Sequence, residues 1–335
     1  MIDLVENISL LEYNTFNIDA KARFFCQTKT DDQLRHAIKW CDEKQLPFFV
    51  LAGGSNIIFR TDFDGLIIHP TSKGITLLPD NETVIAEAGE EWDELVEWSV
   101  QNGLYGLENL SHIPGSVGAS PIQNIGAYGA EAADNMVYVE YLNTDTLQIE
   151  RIEAKDCEFG YRESVFKNSL KGKAVVLRVA FRLTKNGELN TKYGAITSEI
   201  EAMGEQVSLK TMRQAIINIR QSKLPDPERD PNAGSFFKNP VVSSEIADKI
   251  RCQYPNMPSY DVPGEGVKIP AGWLIDNAGL KGFKQGKVAV HDKQALVIVN
   301  KDGANGQEIL DFAEFIAQQV LIKYNIKITR EVNVL

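Results

Sequence analysis

Between Ile113 and Gly129 the chain runs Ile-Pro-Gly-Ser-Val-Gly-Ala-Ser-Pro-Ile-Gln-Asn-Ile-Gly-Ala-Tyr-Gly. This segment is too poor in side-chain mass to be a core element and too long to be a turn. Glycine reaches φ > 0 and, lacking Cβ, lets the main chain come within hydrogen-bonding distance of an anion, whose charge N–H groups then hold. A shorter segment, Gly53-Gly54-Ser55-Asn56, follows the buried-strand run Pro47-Phe48-Phe49-Val50-Leu51-Ala52. Alone it reads as a turn after a strand; beside the longer run it reads as a second loop around a pyrophosphate. Neither segment carries G-x-G-x-x-G or a lysine-bearing phosphate loop, which excludes a Rossmann or P-loop domain.

Holding an anion this way suits a chain with a formal net charge of −11, which repels nucleic-acid phosphate and anionic membrane alike. No nucleic-acid partner is expected. No segment approaches the roughly 20 apolar residues of a membrane span, and the start, Met1-Ile2-Asp3-Leu4-Val5-Glu6, lacks a basic flank and an apolar core. These features predict a cytoplasmic protein with no membrane partner. Cys26, Cys41, Cys157 and Cys252 have no zinc or redox spacing and read as buried free thiols. His36, His69, His112 and His291 are scattered, so no metal site is expected.

At 335 residues the chain fits two or three domains at roughly 100–200 residues each. The expected division is about 1–70, about 71–205 with 325–335 returning to it as a strand, and about 206–324. A T-x-x-Q capping box at Thr30 and Gln33 opens a helix with Leu34, Ala37, Ile38 and Cys41 on one face. A second helix carries Trp92, Leu95, Val96 and Val100 on its inner side. A third carries Leu209, Met212, Ala215, Ile216 and Ile219 and stops at Leu224-Pro225-Asp226-Pro227. Leu177, Val179, Phe181 and Leu183 alternate with Arg178, Ala180 and Arg182, a strand with one buried face. A late helix from about Gln307 to Tyr324 shows Leu310, Ala313, Ile316, Ala317 and Val320 as its inner stripe.

The two glycine segments, Tyr161-Arg162-Glu163-Ser164, Gly234-Ser235-Phe236-Phe237-Lys238-Asn239-Pro240 and Ala271-Gly272-Trp273-Leu274-Ile275 follow one another along nearly the whole chain. In this combination and order the sequence resembles the UDP-N-acetylenolpyruvoylglucosamine reductase family. The resemblance implies an α+β protein with a vanillyl-alcohol-oxidase/PCMH-like FAD-binding fold of two subdomains and a C-terminal α+β substrate-binding domain. It implies non-covalent FAD, NADPH as co-substrate, UDP-N-acetylglucosamine enolpyruvate as the group reduced, ping-pong kinetics, a place in peptidoglycan precursor synthesis and a monomer. FAD would lie against Gly53, Gly54, Ser55, Asn56, Ile113, Pro114, Gly115, Ser116, Gly118, Ala119, Gln123, Asn124, Gly126, Ala127 and Tyr128. Lys192-Tyr193-Gly194 resembles the family type whose tyrosine closes over the substrate, making Tyr193 the lid residue.

Hydride added to the terminal carbon of an enol ether leaves negative charge at the adjacent carbon and its carboxylate, and a cation or acid must meet it. By resemblance Arg162 supplies the charged fork, Ser235 the proton, and Glu331 further stabilisation of the acid-enolate. A serine hydroxyl is a weak acid, so its alkoxide needs a neighbouring cation such as Lys238. Arg220, Lys223, Asn239, Lys268 and Gln294 match the positions for the nucleotide sugar and nicotinamide phosphates. The chain departs from many relatives at Asn333, where they carry arginine. Two other readings stay open: an FAD oxidase of the same superfamily with His112 as a covalent tether, and a non-catalytic flavin or nucleotide-sugar binding protein.

Overall fold

The computed structural model describes residues 2–335, which fall into two compact units. The first takes residues up to Ile8, Ala22–Gly53 and Asp64–Ser222; the second takes Ser9–Lys21, Gly54–Phe63 and Lys223–Leu335.

In the first unit, strands Val5–Ser9, Lys21–Thr28, Phe63–Pro70 and Phe48–Val50 form a four-stranded sheet in that order, with Phe48–Val50 parallel to Leu66–Ile68. Lys21–Thr28 is joined to Phe48–Val50 by α1, Asp31–Lys44, whose Leu34, Ala37, Ile38 and Cys41 are buried as the apolar spacing requires. Thr30 accepts the Gln33 N–H at 3.2 Å, but the Gln33 side chain returns to the N–H of Lys29, one residue before the cap. A five-stranded antiparallel sheet runs Ile149–Glu153, Met136–Asn143, Ala174–Arg182, Thr83–Glu87 and Ile75–Leu77. Helix α2, Trp92–Gln101, buries Trp92, Leu95, Val96 and Val100 against it. Helices α3, Gly194–Met203, and α4, Leu209–Lys223, pack Ile196 and Ile200 on Met212, Ala215, Ile216 and Ile219.

In the second unit, Asn232–Ser235, Val297–Asn300, Val288–Val290 and Lys284–Gln285 form an antiparallel sheet. A three-stranded sheet joins Val241–Val242, Gly266–Lys268 and Tyr260–Val262. Helices α5, Ser244–Gln253, α6, Ala271–Asn277, and α7, Gly306–Tyr324, complete it. Among the described residues no helix is long and apolar enough to cross a membrane, and no group of histidine, cysteine and carboxylate residues could hold a metal.

Four sequence expectations are corrected. The last strand, Asn333–Val334, does not return to the five-stranded sheet; it runs parallel to Ile57–Ile58. The observed partition likewise differs from the three expected segments: residues 206–222 fall in the first unit, where the apolar face of α4 lies on α3. On α7 the buried stripe is Ile309, Phe312, Ala313, Ile316 and Val320, while Leu310 and Ala317 line a groove with Phe237 and Ile328. Finally, strict alternation fails in Ala174–Arg182. The register steps from Arg178 opposite Glu140 to Val176 opposite Tyr141, so Leu177 is an extra residue. Such a bulge turns consecutive side chains to one side. Leu177 therefore joins the α1 cluster while Val179 and Phe181 join the α2 cluster. Arg178 meets Asp31 at 2.7 Å, Glu87 at 2.8 Å and Glu140 at 3.1 Å.

Cys26, Cys41 and Cys157 are buried, whereas Cys252 on α5 is exposed, against the expectation of four buried thiols. Burial pushes the Cys26 and Cys157 thiols up to about 12 and Cys41 up to about 11. Because the thiolate is the reacting species, these three should be inert in the native state. Titration of the native protein with a thiol-specific chromogenic disulfide should therefore modify Cys252 alone, with all four cysteines reacting after denaturation. Rapid native modification of Cys26 or Cys157 would contradict the packing described.

Candidate active site

In the first unit the two glycine segments meet main chain to main chain. A Cβ added to Gly53 would stand 3.4 Å from Gly115 Cα, and Gly115 itself sits at φ +118. The longer segment is laid along residues 88–92: Trp92 N–H donates to Gly115 O at 2.9 Å, Val117 N–H to Glu90 O at 2.8 Å and Gly118 N–H to Ala88 O at 2.9 Å. Ala119 N–H donates to Ser116 O. The N–H groups of both Gly118 and Ala119 are therefore bonded within the protein. Gly118 is also required for packing, because a Cβ there would fall 2.7 Å from that of Ala88.

Beyond this turn, buried Asn124 donates to Glu131 Oε2 at 2.6 Å and to Gly160 O at 3.2 Å. Gly126–Ala127 and Ala130–Glu131 form a hairpin whose two-residue turn, Tyr128-Gly129, has φ 51 and 76. Positive φ at both turn positions matches the twist of the flanking strands, and is strained for tyrosine. Gln123 and Ile113 are half-buried in the same segment, and Pro114 is exposed.

Arg162 is also left-handed, at φ 59. Its guanidinium donates to Asn124 O at 3.2 Å and Gly126 O at 2.9 Å, while Ser164 Oγ donates to Ile122 O at 2.6 Å. Tyr161 to Ser164 is therefore clasped to the glycine segment. Tyr193 caps α3, is 49% exposed, and sets its ring edge-on to Tyr128 with centroids 5.4 Å apart. Arg220 on α4 bonds the Tyr128 hydroxyl and donates from Nε to His112 O at 3.0 Å. Burial lowers the Arg220 pKa and raises that of Tyr128, each opposed by the other's charge. His112, at φ 60, donates its N–H to Asp93.

In the second unit Ser235 ends its strand opposite Val297, is exposed, and follows Gly234 at φ +69. Phe236 and Phe237 are buried and anchor the next turn. Phe236 N–H donates to Leu296 O at 2.9 Å, and Glu331 N–H donates to Phe236 O at 2.9 Å. Lys238 N–H donates to Thr329 O, so the segments carrying Ser235 and Glu331 run side by side. Asn239 accepts the Ala271 N–H at 2.9 Å, which uses its carbonyl oxygen to start α6. Lys268 lies opposite Val241. Gln294 Oε1 lies 3.3 Å from where a Cβ on Gly272 would stand, so the Gln294 side chain packs over the start of α6. Lys223 is exposed at the end of α4. Gly54 is left-handed at φ +61, with Tyr13 O only 2.0 Å from a Cβ there; Asn333 Nδ2 donates to Asn56 O at 3.1 Å.

Three residues with a part in this geometry carried no sequence signal. Buried His291 accepts the N–H groups of Lys293 at 3.3 Å and Gln294 at 3.2 Å on Nδ1, shaping the turn that bears Gln294; burial lowers its pKa. Asp93 takes Arg213 in a two-pronged bridge at 2.6 and 2.9 Å. Asn109, also buried, bonds the Tyr128 carbonyl.

A family profile described as an FAD binding domain matches residues 22–150. The chain is an FAD-dependent oxidoreductase of α+β fold. A second profile, for the C-terminal domain of UDP-N-acetylenolpyruvoylglucosamine reductase, matches residues 226–335. Enzymes of that name from Flavobacterium johnsoniae and Neisseria gonorrhoeae are 42% and 43% identical, covering 100% and 97% of this chain and 100% and 95% of their own. The chain belongs to the UDP-N-acetylenolpyruvoylglucosamine reductase family. The crystal structure of the enzyme from Thermus caldophilus covers 100% of this chain and 98% of its own with a TM-score of 0.68 at 22% identity, a shared fold. The residues present fit FAD: Gly54, at φ +61 with Tyr13 O 2.0 Å from any Cβ, and Gly115, at φ +118, keep both loops bare of side chains, as close main-chain approach to a pyrophosphate requires.

Asp93 joins α2, α4 and the glycine segment, so its ionisation should register in stability. Burial raises its pKa, but the bonds from Arg213 and His112 outweigh this and hold it below the ordinary 3.8. A depressed native pKa stabilises fully above the ordinary value, and the gain is lost as pH falls through the native one. Asp93→Asn should cost about 1.5–3 kcal/mol near neutrality and flatten the acid limb of urea unfolding measured against pH. An unchanged acid limb would show that the bridge contributes nothing.

Proposed function

We propose that this chain reduces the enolpyruvyl group of UDP-N-acetylglucosamine enolpyruvate to UDP-N-acetylmuramate with NADPH, acting as a cytoplasmic monomer, and that Arg162, Ser235 and Glu331 are its catalytic residues. FAD held by the two glycine loops would supply the hydride chemistry that links NADPH to the terminal carbon of the enol ether. Arg162 holds the substrate carboxylate. Its guanidinium is permanently charged and already fixed on the Asn124 and Gly126 carbonyls, so it need not reorganise as charge develops. Ser235 gives its proton to the α carbon, and its oxygen is reprotonated through water. Glu331 steadies the acid-enolate as that proton arrives.

The observation that supports this reading best is the bond from Glu331 N–H to Phe236 O, which sets Glu331 beside the residue following Ser235. Tyr193 closes over the UDP-sugar, and Arg220, Lys223, Asn239, Lys268 and Gln294 contact the nucleotide sugar and nicotinamide phosphates. For Arg220 the contact would be shared with Tyr128.

If Ser235 is the general acid, it acts only after hydride transfer. Ser235→Ala should bind FAD and oxidise NADPH at close to the wild-type rate, yet lose about 10²–10⁴-fold in the half-reaction with the enolpyruvyl substrate. Ser235→Cys should recover part of that loss. Stopped-flow absorbance resolves the two half-reactions; a wild-type second half-reaction in Ser235→Ala would remove serine from the mechanism.

A further inference from the structure

Asn109 lies in the single turn Glu108–Leu110, is 3% exposed, and has no part in the chemistry above. Its Nδ2 donates twice, to the Tyr128 carbonyl at 3.0 Å and to the Asn190 carbonyl at 3.0 Å. Asn190 sends its own Nδ2 to the Gly129 carbonyl at 3.2 Å and accepts the Lys192 N–H at 3.3 Å. One set of these carbonyls belongs to the hairpin turn of the glycine segment, and the other lies just ahead of Tyr193.

A primary amide has two N–H donors, and here both end on main chain, so the two segments are held in register independently of their side-chain rotamers. The Tyr193 ring meets Tyr128 edge-on and is half exposed. Without Asn109, two main-chain carbonyls would lose a buried donor, which loosens the segment at its base. We infer that Asn109 is a positioning residue that ties the Tyr193 segment to the Tyr128–Gly129 turn, so that the flavin-side turn and the substrate-closing tyrosine move as one piece. This rests on the reading of Tyr193 as the residue that closes over the UDP-sugar.

The test compares the holoenzyme with Asn109→Leu, Asn190→Ala, Tyr193→Phe and the Asn109→Leu/Tyr193→Phe double variant. Leucine keeps the volume and removes both donors. Asn109→Leu should raise the dissociation constant of the enolpyruvyl substrate about tenfold, leaving NADPH oxidation near the wild-type rate. The double variant should bind no more weakly than Asn109→Leu alone, because a misplaced tyrosine has no contact left to lose. Losses that multiply in the double variant, or wild-type binding by Asn109→Leu, would overturn the inference.

Tryptic cleavage after Lys192 in the resting holoenzyme gives a readout independent of substrate. Faster cleavage in Asn109→Leu and Asn190→Ala supports the tie, and unchanged cleavage overturns it. If Tyr193→Phe alone leaves substrate binding unchanged, the lid reading fails, and the cleavage rates still decide whether Asn109 holds the segment. Should Asn109→Leu not fold, Asn190→Ala, at a half-exposed position that keeps its main-chain carbonyl, carries the cleavage comparison with a smaller increase.

Discussion

Backbone conformations that favour glycine, φ +61 at Gly54 and φ +118 at Gly115, set the terms for the two loops. With few side chains of its own to bury, the longer loop must be held through its main chain. The longer segment is laid along residues 88–92 through three main-chain bonds, and Gly118 packs on Ala88 where no Cβ fits. Asn124 and Arg162 then clasp its far end to the loop at 160–162. An acidic chain can hold an anionic dinucleotide this way because glycine contributes shape and N–H dipoles without asking for a basic surface.

This arrangement stores backbone strain. His112, Asn124, Tyr128 and Arg162 all have positive φ, and of these only asparagine and histidine adopt it with any ease. Strained residues persist where surrounding contacts over-determine them, and each of these four has such contacts. Asp93 takes the His112 N–H, Glu131 takes the Asn124 amide, Arg220 takes the Tyr128 hydroxyl, and Lys167 Nζ donates to the Arg162 carbonyl at 2.9 Å. In the second unit the equivalent device is a strand pairing: buried Phe236 and Phe237 fix the turn after Ser235, and residues 329–331 lie along it. In each unit the candidate residues are thus held by main-chain geometry as much as by side chains.

Much of this was legible in the sequence, for identifiable reasons. The apolar faces of α1, α2 and α4 follow directly from 3.6-residue spacing, and every residue assigned to those faces is buried. On α7 the spacing was equally regular but the wrong neighbours were chosen, because Leu310 and Ala317 border a groove that periodicity cannot register. The bulge at Leu177 was invisible, since Val175, Val176 and Leu177 are all apolar and give no mark of where the extra residue falls. The partition into units escaped because residues 9–21 and 54–63 join the C-terminal half through long-range pairings such as Asn232 N–H to Thr15 O. Composition located the glycine segments, yet it could not show that Gly118 packs on Ala88 where no Cβ fits. Asn109, His291 and Asp93 are single polar residues with no pattern around them, and only their hydrogen bonds reveal what they do.

The claim that binds the account together is that electrons pass from NADPH to the enolpyruvyl group by way of a flavin held in this fold. An anaerobic absorbance titration of the holoenzyme tests it directly. NADPH should bleach the visible flavin band in equimolar proportion, and UDP-N-acetylglucosamine enolpyruvate should restore it in equimolar proportion with oxygen absent. A band that NADPH does not bleach, or that returns only when oxygen is admitted, would contradict the assignment.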